Sequence, residues 1–95
     1  MLNHIVFFKF HEPVADNAKR VQAELQGLLG KISQLKNLKA GVDILRTPRS
    51  YDLALITQFD SVADLEAYQI HPLHVEVKHL IKALALSTAS VDYLD

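Results

Sequence analysis

Apolar and aromatic residues crowd the stretch Asn3 to Phe10 (NHIVFFKF), which closes on His11-Glu12-Pro13, so the chain opens on a predicted strand. From Asp16 the spacing changes. Val21, Leu25, Leu28, Leu29 and Ile32 recur at helical intervals, with Lys19, Arg20, Glu24, Gln26 and Lys31 on the other faces, which predicts an amphipathic helix capped by Asp16 and ending near Gln34. Gly27 and Gly30 within it each cost about 1 kcal/mol relative to Ala and predict loose or closely packed last turns. A second strand is predicted over Leu38 to Arg46, where Ala40, Val42 and Ile44 alternate with Gly41, Asp43 and Leu45, and a third over Tyr51 to Phe59 after the Pro48 turn. Ser61, three residues before Asp64, opens a second helix through Leu65 to Tyr68. His71-Pro72 interrupts it, because a residue before proline is pushed out of the α region while proline suits the first turn of a new helix. That third helix turns Val75, Val77, Leu80, Ile81 and Leu84 towards a core, and Leu86 to Tyr93 reads as a closing strand with Ala89, Val91 and Tyr93 on one side.

The order βαββαβ, with the last helical segment broken in two, predicts a ferredoxin-like two-layer α+β sandwich with both helical layers on one face of a four-stranded antiparallel sheet. The other face of such a sheet is normally polar. Here strand one puts Val6, Phe8 and Phe10 on one side and Ile5 and Phe7 on the other, and strand three sets Leu53, Leu55 and Phe59 against Ala54 and Ile56. Leaving several large apolar side chains in water at about 1.5 to 3 kcal/mol each would consume much of a small domain's stability. A second copy of the chain covering that face removes the problem, so a homodimer is expected.

Ninety-five residues, 49% hydrophobic and 22% charged, make a single domain over residues 1–95. The absence of cysteine excludes a disulfide scaffold, a thiolate zinc site and a cysteine nucleophile, and agrees with a reducing, cytoplasmic setting. Met1-Leu2-Asn3-His4 lacks the features of a secretory leader, and no apolar run is long enough to cross a bilayer, so no membrane partner is expected. A net charge of −1 with dispersed Lys and Arg argues against nucleic acid, and Arg46-Thr47-Pro48-Arg49 reads as a solvated turn without a function. Nucleophile elbows, phosphate loops and dinucleotide glycine patterns are missing, and no cofactor is expected.

Four side chains stand out for proton transfer: His4 in an apolar strand, Tyr68 at the end of helix two, and His71 and His74 around Pro72. His74 falls at about the third position of helix three, where the positive end of the helix dipole keeps the ring neutral and able to act as a base. Three of the four have a plainer role as well: His4 as a satisfied strand residue, Tyr68 as core packing, and His71 as a helix cap. His79 reads as solvated and His11 as a turn residue. His71 and His74 have a spacing seen in metal sites, but the ligand set is too sparse, and no metal is expected.

The fragments His4-Ile5-Val6, Lys9-Phe10, Tyr51-Asp52-Leu53-Ala54-Leu55, Tyr68-Gln69-Ile70-His71-Pro72-Leu73-His74 and Val91-Asp92-Tyr93 together resemble the stress-responsive A/B-barrel (Dabb) family over nearly the whole chain. The resemblance implies a dimeric α+β barrel. The family includes proteins without a settled reaction and plant polyketide cyclases such as olivetolic acid cyclase, in which the histidine matching His74 is the acid/base, the tyrosine matching Tyr68 polarises the substrate, and the histidine matching His4 lies close by. A further pocket histidine of those cyclases falls at Leu53 here, and Thr88 and Ser90 stand where the cyclase is apolar.

The sequence therefore predicts a small homodimer with a pocket for a small organic molecule. Two enzyme readings stand beside it: a cofactor-independent cyclase-like lyase, and a monooxygenase-like member of the wider barrel group. In the enzyme case His74 and Tyr68 are the acid/base pair and His4 orients the imidazole ring or the substrate from the strand beneath, while Val6, Phe8, Leu55 and His71 line the ligand pocket.

Overall fold

The computed structural model describes residues 1–95. Strand β1 (Leu2–Phe10) leads into helix α1 (Val14–Gln26), then strands β2 (Asn37–Val42) and β3 (Leu53–Phe59), helices α2 (Val62–Gln69) and α3 (Pro72–Leu84), and strand β4 (Ala85–Leu94). The sheet runs β2-β3-β1-β4, antiparallel at every pair, so the predicted ferredoxin-like α+β fold is the one observed.

Register assigns each side chain to a face. Leu2, His4, Val6 and Phe8 of β1 stand opposite Phe59, Thr57, Leu55 and Leu53 of β3, and this set faces the helices. There Leu2, Phe8, Phe10, Leu53, Leu55 and Phe59 join Ala18, Val21 and Leu25 of α1, Leu65 and Tyr68 of α2 and Val77 of α3 in one buried cluster. The opposite face carries no helix. It presents Ile5, Phe7, Ala54 and Ile56, extended on β4 by Ala89, Val91 and Tyr93, with Phe7 42%, Ile56 40% and Val91 62% exposed. At one end of that face a row of amides crosses three strands, Asn37 donating to Gln58 and Gln58 to Asn3. The rest of the open face is largely apolar.

Several boundaries differ from expectation for local reasons. Helix α1 begins at Val14 behind an extended Pro13, and Asp16 lies inside its first turn rather than capping it; no side chain caps this end. The helix ends at Gln26, with Gly27 at its C-cap and Gly30 at φ 87°. Leu28 and Ile32 stay buried although they lie in the turns and bends after the helix, so the apolar spacing in the sequence continues past the end of the helix towards Gln34.

Strand β2 stops at Val42, four residues before the predicted end, and Ile44 and Leu45 are in solvent. The break comes from Asp43, whose Oδ2 accepts the Arg46 backbone N–H at 2.8 Å and folds the chain back on itself. Arg46 takes a left-handed φ of 52°, and its guanidinium meets Asp52 Oδ1 at 2.6 Å and Asp43 Oδ2 at 3.2 Å. The sequence reads this segment as a solvated turn without a function; Arg46 instead pairs with two carboxylates. Asp52 is 6% exposed and also accepts the Phe10 N–H at 2.7 Å, so one carboxylate ties β1 to the β2–β3 loop.

Candidate functional site

The corner between α2 and α3 is built by local rules legible in the chain. Ser61 caps α2, its hydroxyl accepting the Asp64 N–H at 3.1 Å. His71 caps α3, its Nδ1 accepting the Leu73 N–H at 3.1 Å, while Pro72 fills the first turn. A neutral His71 bonded in that way carries its proton on Nε2 and can donate from there. The reversal brings Tyr68, at the end of α2, against His74, in the first turn of α3: the two ring centroids lie 4.3 Å apart at 47°. Phe59 of β3 packs on the other side of Tyr68 at 5.0 Å.

His74 Nδ1 lies 3.2 Å from the Gln69 carbonyl oxygen, so Nδ1 carries the proton and Nε2 is left with a free lone pair. Burial pushes the His74 pKa below its ordinary 6.5. The Gln69 carbonyl opposes the shift, and the charges of Lys78, His4 and His71 add to it. The ring is therefore neutral at pH 7, with its basic nitrogen unoccupied.

Tyr68 is 1% exposed, and its hydroxyl is buried with no hydrogen-bond partner. Burial raises its pKa to about 12. An orphaned buried hydroxyl costs about 1 to 3 kcal/mol, so Tyr68→Phe should stabilise the fold by an amount in that range in urea unfolding. The pH dependence follows from the same burial. The unfolded phenol ionises near 10 and the folded one near 12, so this contribution is whole below pH 10 and is lost as pH rises towards 12, by about 3 kcal/mol. Tyr68→Phe should remove that part of the alkaline loss, and an unchanged alkaline limb would show that the hydroxyl is solvated.

His4, in β1, has Asp92 of β4 directly opposite, and His4 Nδ1 hydrogen-bonds the Asp92 carboxylate. This fixes the ring with Nε2 turned away from the carboxylate. In the sequence Asp92 lies 88 residues from His4 and figures only within the Val91-Asp92-Tyr93 fragment, with no role attached; its signal as a partner is a carboxylate in the helix-facing register of the last strand. Ser90 and Thr88 follow on the same side, opposite Val6 and Phe8, and all three β4 residues are exposed because no helix covers this part of the sheet. The result is an open, polar-edged flank beside His4.

Of the expected lining residues, Val6 and His71 are half-buried, whereas Phe8 (3% exposed) and Leu55 (4%) are sealed in the core. The four main cavities, of about 210, 610, 380 and 300 Å³, are lined elsewhere; none includes His4, Tyr68 or His74. Tyr68 and His74 are in contact and His4 is near enough for its charge to bear on His74, but none of these four cavities opens between them. No group of three or more His, Asp or Glu side chains is placed to hold a metal ion.

Residues 2–95 match the family model of the stress responsive A/B barrel domain. An uncharacterized protein of Streptomyces coelicolor is 31% identical over 77 residues, which cover 78% of this chain and 79% of that protein. A dimeric protein of unknown function with a ferredoxin-like fold, from Bacteroides fragilis, superposes with a TM-score of 0.86 at 27% identity, over 99% of this chain and 95% of its own. A hydroxynitrile lyase from Passiflora edulis has the same fold, with a TM-score of 0.84 at 21% identity over 99% of this chain and 92% of the lyase.

Proposed function

The chain belongs to the stress responsive A/B barrel domain family, and on that premise we propose that it pairs with a second copy through its open sheet face and holds a small organic carbonyl compound beside His74. The observation that carries the ligand site is the pair formed by a neutral imidazole with a free Nε2 and a buried phenol whose hydroxyl has no partner. A buried polar atom without a partner is rare in folded proteins, and a ligand oxygen is the acceptor this one lacks. The ligand approaches over the uncovered flank of β4, past Thr88, Ser90 and Asp92, and reaches the Tyr68 hydroxyl by displacing the side chains that seal it.

The chemistry this pair favours is cofactor-independent proton transfer. His74 Nε2 takes a proton from the carbon next to the carbonyl, and the Tyr68 hydroxyl donates a hydrogen bond to the oxygen on which negative charge develops. With a pKa of about 12 the phenol keeps its own proton at neutral pH and acts only as a donor. His4, held by Asp92, orients the ligand from the strand below. The Passiflora edulis protein, a lyase on the same fold, agrees with this reading in architecture.

Titration with acetylacetone, an enolisable diketone, followed by proton NMR, tests the site. The His74 ring resonances should shift saturably while those of exposed His11 and His79 stay in place. Equal movement of all the histidines, or of none, would refute a ligand site at this corner.

A further inference from the structure

We propose that Ile44 and Leu45, on the loop between β2 and β3, form a preorganised arm that docks onto the open sheet face of a second copy of this chain. The proposal deepens the dimeric reading above and rests on it. Ile44 is 87% and Leu45 77% exposed, and they are adjacent in the chain; of the other large aliphatic side chains only the isolated Ile70, at 78%, is as open to solvent. Adjacent isoleucine and leucine in water are unfavourable on any loop, and a floppy loop would fold them back.

This loop is not floppy. Arg46 is clamped between Asp43 and the buried Asp52, and the Asp43 N–H donates to the Asp52 carbonyl at 2.9 Å. Beyond it the Thr47 and Ser50 hydroxyls meet at 2.9 Å, and the Ser50 N–H donates to the Thr47 carbonyl at 3.0 Å. Rigid presentation of apolar anchors lowers the ordering cost of association, and such anchors carry most of the affinity of an interface.

The surface next to the arm identifies the occupant. Ile44 and Leu45 form one wall of an open cleft of about 610 Å³ whose floor includes Phe7, Tyr51 and Ala54. Phe7 also lines the shallow recess formed with Ile5, Ala89 and Val91, so the cleft and the recess meet at Phe7 on the apolar open face. A protrusion and a recess on one continuous patch are what a two-fold contact between identical surfaces requires, since each copy offers both. A small molecule would need only the recess. The arm therefore adds to the dimer an anchor beyond the flat sheet contact, set in place by the Arg46–Asp52 pair.

Sedimentation equilibrium on the full chain, comparing the parent with the double variant Ile44→Ser and Leu45→Ser, tests this. Both positions are exposed within one chain, so the far-ultraviolet circular dichroism should be unchanged, and the dimer dissociation constant should rise about 100-fold or more, the scale of losing two interface anchors. The conservative pair Ile44→Val and Leu45→Met should stay within a few-fold of the parent. A dimeric parent with an equally tight serine variant overturns the arm and leaves the sheet-face dimer standing. A parent that is monomeric throughout overturns the dimeric reading and the arm together. An unchanged dissociation constant accompanied by loss of anilinonaphthalenesulfonate binding also overturns the arm, in favour of a small-molecule cleft.

Discussion

Phe7→Asp is expected to convert a species of twice 10.7 kDa into a 10.7 kDa monomer, or into aggregate, at micromolar concentration in light scattering coupled to size exclusion. Phe7 sits at the centre of the uncovered face, between Ala54 on β3 and Ala89 on β4, and its ring packs 5.9 Å from that of Tyr51. Within one chain it is 42% exposed, so the substitution costs little to the fold of a protomer. In a two-fold pair each copy would bury an unpaired carboxylate against the other's apolar face. An uncompensated buried charge costs about 3 to 5 kcal/mol, and with two per dimer the dissociation constant should rise at least about 10³-fold. A variant that remains dimeric at the same concentrations would move the contact off this face.

The apolar logic of that face was readable from Ile5 and Phe7, because alternation in a strand assigns faces without knowledge of its neighbours. Cap chemistry was equally local: Ser61 and the His71-Pro72 pair act within three residues, and both caps form as the sequence suggested. What alternation does not reveal is where a strand stops being paired. Ala40, Val42 and Ile44 keep the same period, but β3 offers partners only as far as Leu53, opposite Val42, and Asp43 then turns the chain. Asp16 was an acceptable cap by type, yet Pro13 had already set an extended residue three positions earlier.

The candidate site divides in the same way. Tyr68 and His74 lie six residues apart across a proline, so their meeting follows from the local reversal. The His4–Asp92 contact depends on β1 pairing with β4, and the Arg46–Asp52 contact on a loop that single-strand patterns extend straight through. Depth is the other thing the pattern left out. Val6, Phe8 and Leu55 share the helix-facing side of the sheet, as a lining set should, but Phe8 and Leu55 sit where α1 and α2 cover it, whereas the uncovered part lies over β4.

Proton exchange at the carbon next to a ketone is the most direct test of His74 as the working base. In heavy water, with 2-octanone as probe and NMR as readout, the parent should accelerate deuterium incorporation over buffer alone. The rate should rise as pH climbs through the lowered pKa of His74, below 6.5, and then level off once the ring is neutral. His74→Ala should slow the exchange about 10²-fold or more, the usual scale for removing a general base, with dimer mass and circular dichroism unchanged. Exchange in the His74→Ala protein as fast as in the parent would contradict the account and leave His74 a packing residue of the α2–α3 corner.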